Sequence, residues 1–161
     1  MKVRPAGTED APFLWEMLTY AASMSPGGAP SVAEAQEDPH LRVYLDGWMR
    51  PGDLGVVAVG GDGGLLGAAW IRPGLMVAEP GAPELATAVA PAWRGRGIGS
   101  TLLRELAAWA RGSWCGISLS VRQENPARRF YERHGFAVMR EVTNRVGGRS
   151  LVMRLTLPAA V

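Results

Sequence analysis

Apolar and polar residues follow two rhythms along this chain, and the changes from one to the other mark its elements. The opening "KVRPA" predicts a short strand. Thr8 then reads as a helix N-cap, with Glu9 and Asp10 in the first turn and Phe13, Leu14, Met17 and Leu18 at helical spacing. "SMSPGGAPS" has loop composition, and a second helical region over residues 32–49 is expected to break near Pro39. "LGVVAVG" and "LLGAAWIRP" are β-prone runs joined by "GDGG", which predicts a hairpin. "MVAEPGAP" reads as another loop, and "ELATAVA" as a short strand that Pro91 ends, because proline cannot continue the ladder.

After Pro91 the rhythm changes again. A helix is expected over residues 98–110, with Ile98, Leu102, Leu103, Leu106, Trp109 and Ala110 on one face and Gly112 as its stop. "CGISLSV" predicts a strand, with Cys115 in the core. Asn125 and Pro126 open a last helix, asparagine as cap and proline in the first turn, and Gly135 ends it. "FAVMREVT" and "RSLVMRLTL" predict an antiparallel pair around "VGG". The order is β-α-α-β-β-β-α-β-α-β-β, with neither repeat nor linker. It predicts one mixed α/β domain of three layers over residues 1–161.

Composition narrows the setting. A chain of 161 residues that is 47% hydrophobic and 20% charged can bury a core without metal or disulfide staples. Cys115, the single cysteine, has no internal partner. Neither an apolar leader nor a run of roughly 20 apolar residues is present, so a soluble cytoplasmic protein is expected, with no membrane partner. The formal net charge of +2 is too small to argue for nucleic acid, and the preference for arginine, with Lys2 the one lysine, runs through the whole chain.

The candidate chemistry begins at "WRGRGIGS", directly ahead of the third predicted helix. Glycines at 95, 97 and 99 strip side chains from a loop whose backbone N–H groups point outward at a helix N-terminus, which makes an anion site. Arg94 and Arg96 add charge to it. A phosphate-binding P-loop would need a lysine after the glycines, and a dinucleotide fingerprint would need G-x-G-x-x-G near the first strand; neither pattern is met.

Arg94, Gly97 and Gly99 match [RQ]-x-x-G-x-[GA], and Asn125, Ala127, Tyr131, Gly135 and Phe136 match N-x-x-A-x-x-x-Y-x-x-x-G-F with small spacing variations. Together they resemble the GNAT superfamily of N-acetyltransferases. The likeness is sharpest over residues 84–142, and the element order agrees over the whole chain. It implies a three-layer α/β/α fold whose mixed, mostly antiparallel sheet is splayed at the fourth and fifth strands. It also implies acetyl-CoA as acyl donor, no metal, and direct transfer to a primary amine, either a small molecule or a protein N-terminus. "VRQENPARRFYERHGF" is similar to ribosomal-protein N-terminal acetyltransferases, although this stretch lies on the cofactor side. Homodimerisation through the C-terminal strands is a further implication.

Carried onto this sequence, the resemblance gives Ala88, Val89 and Ala90 the backbone contacts to the pantetheine arm, with the Val89 N–H near the thioester carbonyl. Arg94, Gly95, Arg96, Gly97, Ile98, Gly99 and Ser100 wrap the pyrophosphate, although Arg96 can equally point to solvent. Asn125 either caps its helix or reaches the cofactor. Tyr131 is the general acid for the leaving thiolate, and Glu84 the candidate base. Glu84 lies five residues before Val89, where the family spacing is commonly six, and one residue turns a strand side chain to the other face unless a bulge intervenes. Glu79 or a water relay are the alternatives. A cysteine-linked acyl intermediate at Cys115 is not expected. His134 reads as a helix-end residue, and His40 as a speculative substrate contact. "SPGGAPS", Trp48 and "MVAEPGAP" are expected to shape the acceptor side. The rival readings are a non-catalytic acyl-CoA-binding or regulatory module of the same fold, and a nucleotide or nucleic-acid binder resting on the arginines alone.

Overall fold

In the computed structural model, which describes residues 1–22, 28–75, 79–144 and 147–158, every strand expected from the pattern forms. They are β1 (Lys2–Pro5), β2 (Leu54–Val59), β3 (Leu65–Arg72), β4 (Glu84–Val89), β5 (Gly116–Arg122), β6 (Ala137–Thr143) and β7 (Arg149–Thr156). The helices are α1 (Ala11–Ala21), α2 (Val32–Glu37), α3 (Ile98–Ala110) and α4 (Ala127–Arg133). The seven strands make one sheet in the order β1-β2-β3-β4-β5-β7-β6, antiparallel throughout except for β4 against β5.

Strand alternation splits the core into two layers. Val56, Ala69, Ile71 and Leu85 face α3, where Leu102, Leu103 and Leu106 cover them. Val57, Ala68, Trp70 and Ala86 face the other way and are covered by Leu14, Met17 and Leu18 of α1. Gly67 lets α3 come down on the sheet: a Cβ there would lie 2.9 Å from the Ala88 carbonyl oxygen and 3.2 Å from Leu102. Close approach at this point sets the start of α3 beside the end of β4.

Several expectations are corrected. The first turn of the first helix is a 3-10 turn over Thr8–Asp10, and the capping is done by Asp10, not Thr8. Asp10 accepts the Gly7 N–H at 2.8 Å and both arms of the Arg4 guanidinium. The second helical region is short. Ser31 and Glu34 form a capping box that starts α2, but Asp38 precedes a proline and is extended with ψ 115°. Beyond it the chain makes a 3-10 turn over Arg42–Tyr44 in place of helix. Trp109 is 43% exposed, off the buried face of α3. Cys115 is exposed, one residue ahead of β5. Trp48 lies in the α1-side core, with its indole N–H donating to the Gly7 carbonyl at 3.0 Å.

Candidate functional site

The parallel pair β4–β5 meets at a single position, Glu84 opposite Ser118. Beyond it the two strands diverge, and the sheet opens into a wedge. A cleft of about 660 Å³ fills that opening, lined by β4 from Leu85 to Val89 and by Leu119 to Arg122 of β5. Tyr20 and Ala21 of α1, His40 and Tyr44 of the connection after α2, and Asn125 and Tyr131 are among the other lining residues.

Alternation along β4 decides which backbone groups enter the wedge. The Ala90 N–H donates to the Leu66 carbonyl at 2.8 Å, so Ala90 and, by the two-residue period, Ala88 turn their peptide groups toward β3. The N–H groups of Thr87 and Val89 therefore point into the opening. The three residues expected to offer their backbone therefore divide: Val89, with Thr87, turns its N–H to the opening, and the Ala90 N–H is used within the sheet. Ala88 lines the cleft without offering a free N–H.

The glycine loop follows the end of β4; Arg94 lines the cleft, and residues 95–100 do not. Gly97 is the N-cap of α3 in the left-handed region, with φ 80°, and no side chain caps the helix. The N–H groups of Ile98, Gly99 and Ser100 thus have no helical acceptor. The Ile98 side chain is buried, so its peptide group is what it has to offer a ligand. Gly99 lies against Phe130 and Val89, at 3.6 and 3.8 Å from the position of an added Cβ. Ser100 hydrogen-bonds the His134 Nε2 at 2.9 Å, which ties the start of α3 to the end of α4. Arg94 reaches back to the Val89 carbonyl at 3.2 Å and lines the cleft. Arg96 stacks over Trp93 at 4.8 Å, outside the lining. Gly95 is exposed with φ 76°.

Asn125 caps α4, its Oδ1 accepting the Ala127 N–H at 2.9 Å, so its amide nitrogen is the end left for a ligand. The Tyr131 ring sits between Phe130 and Phe136, with centroids 5.4 and 5.6 Å away. Its hydroxyl opens on the cleft and has no protein partner among the described residues. Burial pushes this phenol up to about 12. It therefore keeps its proton at any physiological pH.

Glu84 is 2% exposed, on the α1-side face shared with Ala86 and Ala88 and opposite to Val89. The β3–β4 register has no bulge, so the five-residue spacing does turn the two side chains apart. Burial raises this carboxyl to about 8. The Tyr44 hydroxyl donates to its Oε2. Tyr44 was invisible to sequence reasoning because the pattern placed it inside a helix. Its turn is held by β3: the Trp70 indole N–H donates to the Tyr44 carbonyl at 3.1 Å. Buried Arg72 donates to the Val43 and Asp46 carbonyls and pairs with both oxygens of Asp53. An arginine closing the apolar run "LLGAAWIR" was the one sequence signal for this brace.

Glu79 is held by Arg140 at 2.7 Å and does not line the cleft. His40 does. Residues 25–27 of "SPGGAPS" and 76–78 of "MVAEPGAP" lie outside the described residues. Among the described residues there is no cluster of three His, Cys, Asp or Glu placed to hold a metal, and no helix long and apolar enough to cross a membrane.

The raised Glu84 carboxyl has a consequence for stability. Unfolded, it titrates near 4.5; folded, near 8. Between those values the folded protein binds the extra proton, so stability falls as pH rises through that window. Glu84→Gln removes the cost while keeping an acceptor for Tyr44. At about 1.4 kcal/mol per pH unit, the variant should be more stable by on the order of 3 kcal/mol at pH 7 and equal to the parent near pH 4.5. Thermal melts from pH 4.5 to 8 should show the gap opening with pH. A constant gap would refute a buried, high-pKa carboxyl.

The acetyltransferase (GNAT) family model matches residues 15–136, and the chain belongs to that family. Among solved structures it is similar to a ribosomal-protein-alanine N-acetyltransferase from Brucella melitensis, with 24% identity, TM-score 0.71, and 98% of this chain and 100% of that one covered. A spermidine N-acetyltransferase mutant from Vibrio cholerae aligns with 18% identity and TM-score 0.69, over 97% of this chain and 93% of that one. A GCN5-related N-acetyltransferase from Kribbella flavida has 26% identity and TM-score 0.66, with 97% of each chain covered. A search of curated proteins gave no match.

Proposed function

We propose that this protein is an acetyl-CoA-dependent N-acetyltransferase that passes the acetyl group directly to a primary amine. The observation that carries the reading is convergence: the β4–β5 wedge, Arg94, Tyr131 and Tyr44, which bonds Glu84 behind it, line one cleft, and the uncapped start of α3 packs against Val89, one of its lining residues. The α3 N-terminus and Arg94 suit a pyrophosphate. The Thr87 and Val89 N–H groups suit an extended amide arm laid along β4, as an added strand would be. Of the two, the Thr87 N–H lies farther from the start of α3, which Gly99 brings against Val89, and it meets the negative charge that develops on the thioester oxygen. Tyr131 gives its proton to the departing thiolate. Calorimetric titration with acetyl-CoA, with NAD and ATP as controls, tests the donor. Micromolar binding of acetyl-CoA alone supports the proposal; no binding sinks it.

The acceptor side has a chemical bias. Its described lining includes His40, Leu41, Tyr44, Leu18 and Ala21, and no carboxylate lines the cleft among the described residues. The undescribed stretches 23–27 and 76–78, "SMSPG" and "MVA", contain no acid either. Spermidine, the substrate named for one similar structure, carries distal ammonium groups that need such partners. We expect kcat/KM for spermidine at least tenfold below that for an arylalkylamine such as phenethylamine, measured by thiol release. A preference for spermidine would refute this bias.

A further inference from the structure

We propose that Tyr44 is a catalytic residue of the acceptor site: its hydroxyl takes the proton from the acceptor ammonium and hands its own to Glu84. The inference rests on the acetyltransferase reading and extends it to a residue outside both family motifs. Tyr44 lines the cleft, whereas Glu84, the carboxylate it hydrogen-bonds, does not. A base sealed behind a phenol can act on a substrate only through that phenol. The transfer balances as two linked steps. The N–H bond of the ammonium breaks as a new O–H bond forms on the Tyr44 oxygen. The original Tyr44 O–H bond breaks as Glu84 Oε2 gains that proton. The products are a neutral amine, an intact phenol and a protonated carboxyl, which later returns its proton to solvent.

The surroundings fit a base that must exchange protons. Arg72 is Glu84's ladder neighbour on β3, but its guanidinium is taken up by Asp53 and the Val43 and Asp46 carbonyls. On the β5 side, Ser118 donates to the Ala82 carbonyl at 2.7 Å, and the Glu79 carboxylate is held by Arg140. His40 lines the cleft beside Tyr44. Thus, among the described residues, no cation is bonded to Glu84 to fix it as a permanent anion, and burial keeps its affinity for a proton high. The brace from Trp70 and Arg72 holds the Tyr44 turn against β3, so Arg72 is a positioning residue for this relay.

Two measurements test the relay, one independent of turnover. With 13C-labelled glutamate, NMR titration should show the Glu84 carboxyl changing near pH 8, with its midpoint rising by half a unit or more in Tyr44→Phe, because the carboxylate loses its donor. An unmoved midpoint overturns the relay whatever the activity. Acetylation of n-propylamine, a cation at pH 7.5, is then compared with that of hydroxylamine, which is largely neutral there. Tyr44→Phe and Glu84→Gln should each lower the propylamine rate at least tenfold and the hydroxylamine rate only a few-fold, and the double variant should lose no more than the worse single one. Equal losses with both acceptors would overturn the relay and leave Tyr44 a structural residue. If the carboxyl signal follows Tyr44→Phe but neither amine is acetylated by the parent protein, the transferase reading fails, and the relay with it.

Discussion

Tyr131→Phe is expected to lower kcat for acetyl transfer by about 100-fold to 10,000-fold, the range that a positioned acid supplies. Acetyl-CoA affinity should be unchanged. The phenyl ring keeps the edge contacts to Phe130 and Phe136, so the fold and the wall of the cleft survive the substitution. Only the hydroxyl is lost, and no residue among those described hydrogen-bonds it. A phenol raised to about 12 is a weak donor toward a thiolate. The step is helped because the nitrogen that has just gained an acyl group still carries a proton it readily gives up, and Tyr131 can take that proton as it surrenders its own. The acid is thus regenerated in the same turnover. Stopped-flow kinetics with calorimetry separates the outcomes. Loss of affinity in parallel with kcat would make Tyr131 a wall of the donor site and nothing more.

The second large effect belongs to Gly97. Gly97→Trp should weaken acetyl-CoA binding more than 100-fold by calorimetry. Two causes add. A residue with a Cβ is strained at φ 80°, by about 1–2 kcal/mol. The indole would also stand over the N–H groups of Ile98, Gly99 and Ser100, which no side chain caps. Gly63, in the β2–β3 turn, has φ 87° and equally open surroundings. Gly63→Trp therefore carries comparable strain without touching the cleft, and it should leave binding within about threefold. Equal losses in both variants would assign the effect to backbone strain and withdraw the phosphate site from this loop.

The central strands were legible because both faces of the sheet are covered there, and apolar runs bounded by glycine and proline stand out; β6, exposed along its length, was read from its pairing with the apolar run of β7. The start of α3 was legible for a similar reason: three spaced glycines ahead of an amphipathic run have few other uses. The stretch after Glu37 was not. Its apolar residues fall at helical spacing, yet Asp38 must be extended ahead of Pro39, and Arg72 from a distant strand gathers the carbonyls that a helix would have used. Those contacts, with the Trp70 bond to the Tyr44 carbonyl, decide where Tyr44 sits, and no local pattern encodes them. The face of Glu84 followed from counting residues along β4, but its partner did not. Trp109 and Cys115 illustrate the reverse error, since apolar character alone put them in a core they do not enter.

The divergence of β4 from β5 has a mechanical side. Among the described residues, main-chain bonds join the two halves of the sheet at one end, from Cys115 and Gly116 to the Gly81 carbonyl and from Ser118 to the Pro83 carbonyl. From Leu85 onward they share no ladder, as pages share only a spine. A donor molecule lying in the wedge would touch both, and so act as a strut as well as a reagent. Its release would remove a crosspiece from the sheet. Filling and emptying of the site would then change the stiffness of the whole layer, and the amides of β4 and β5 are the place where hydrogen exchange would register it.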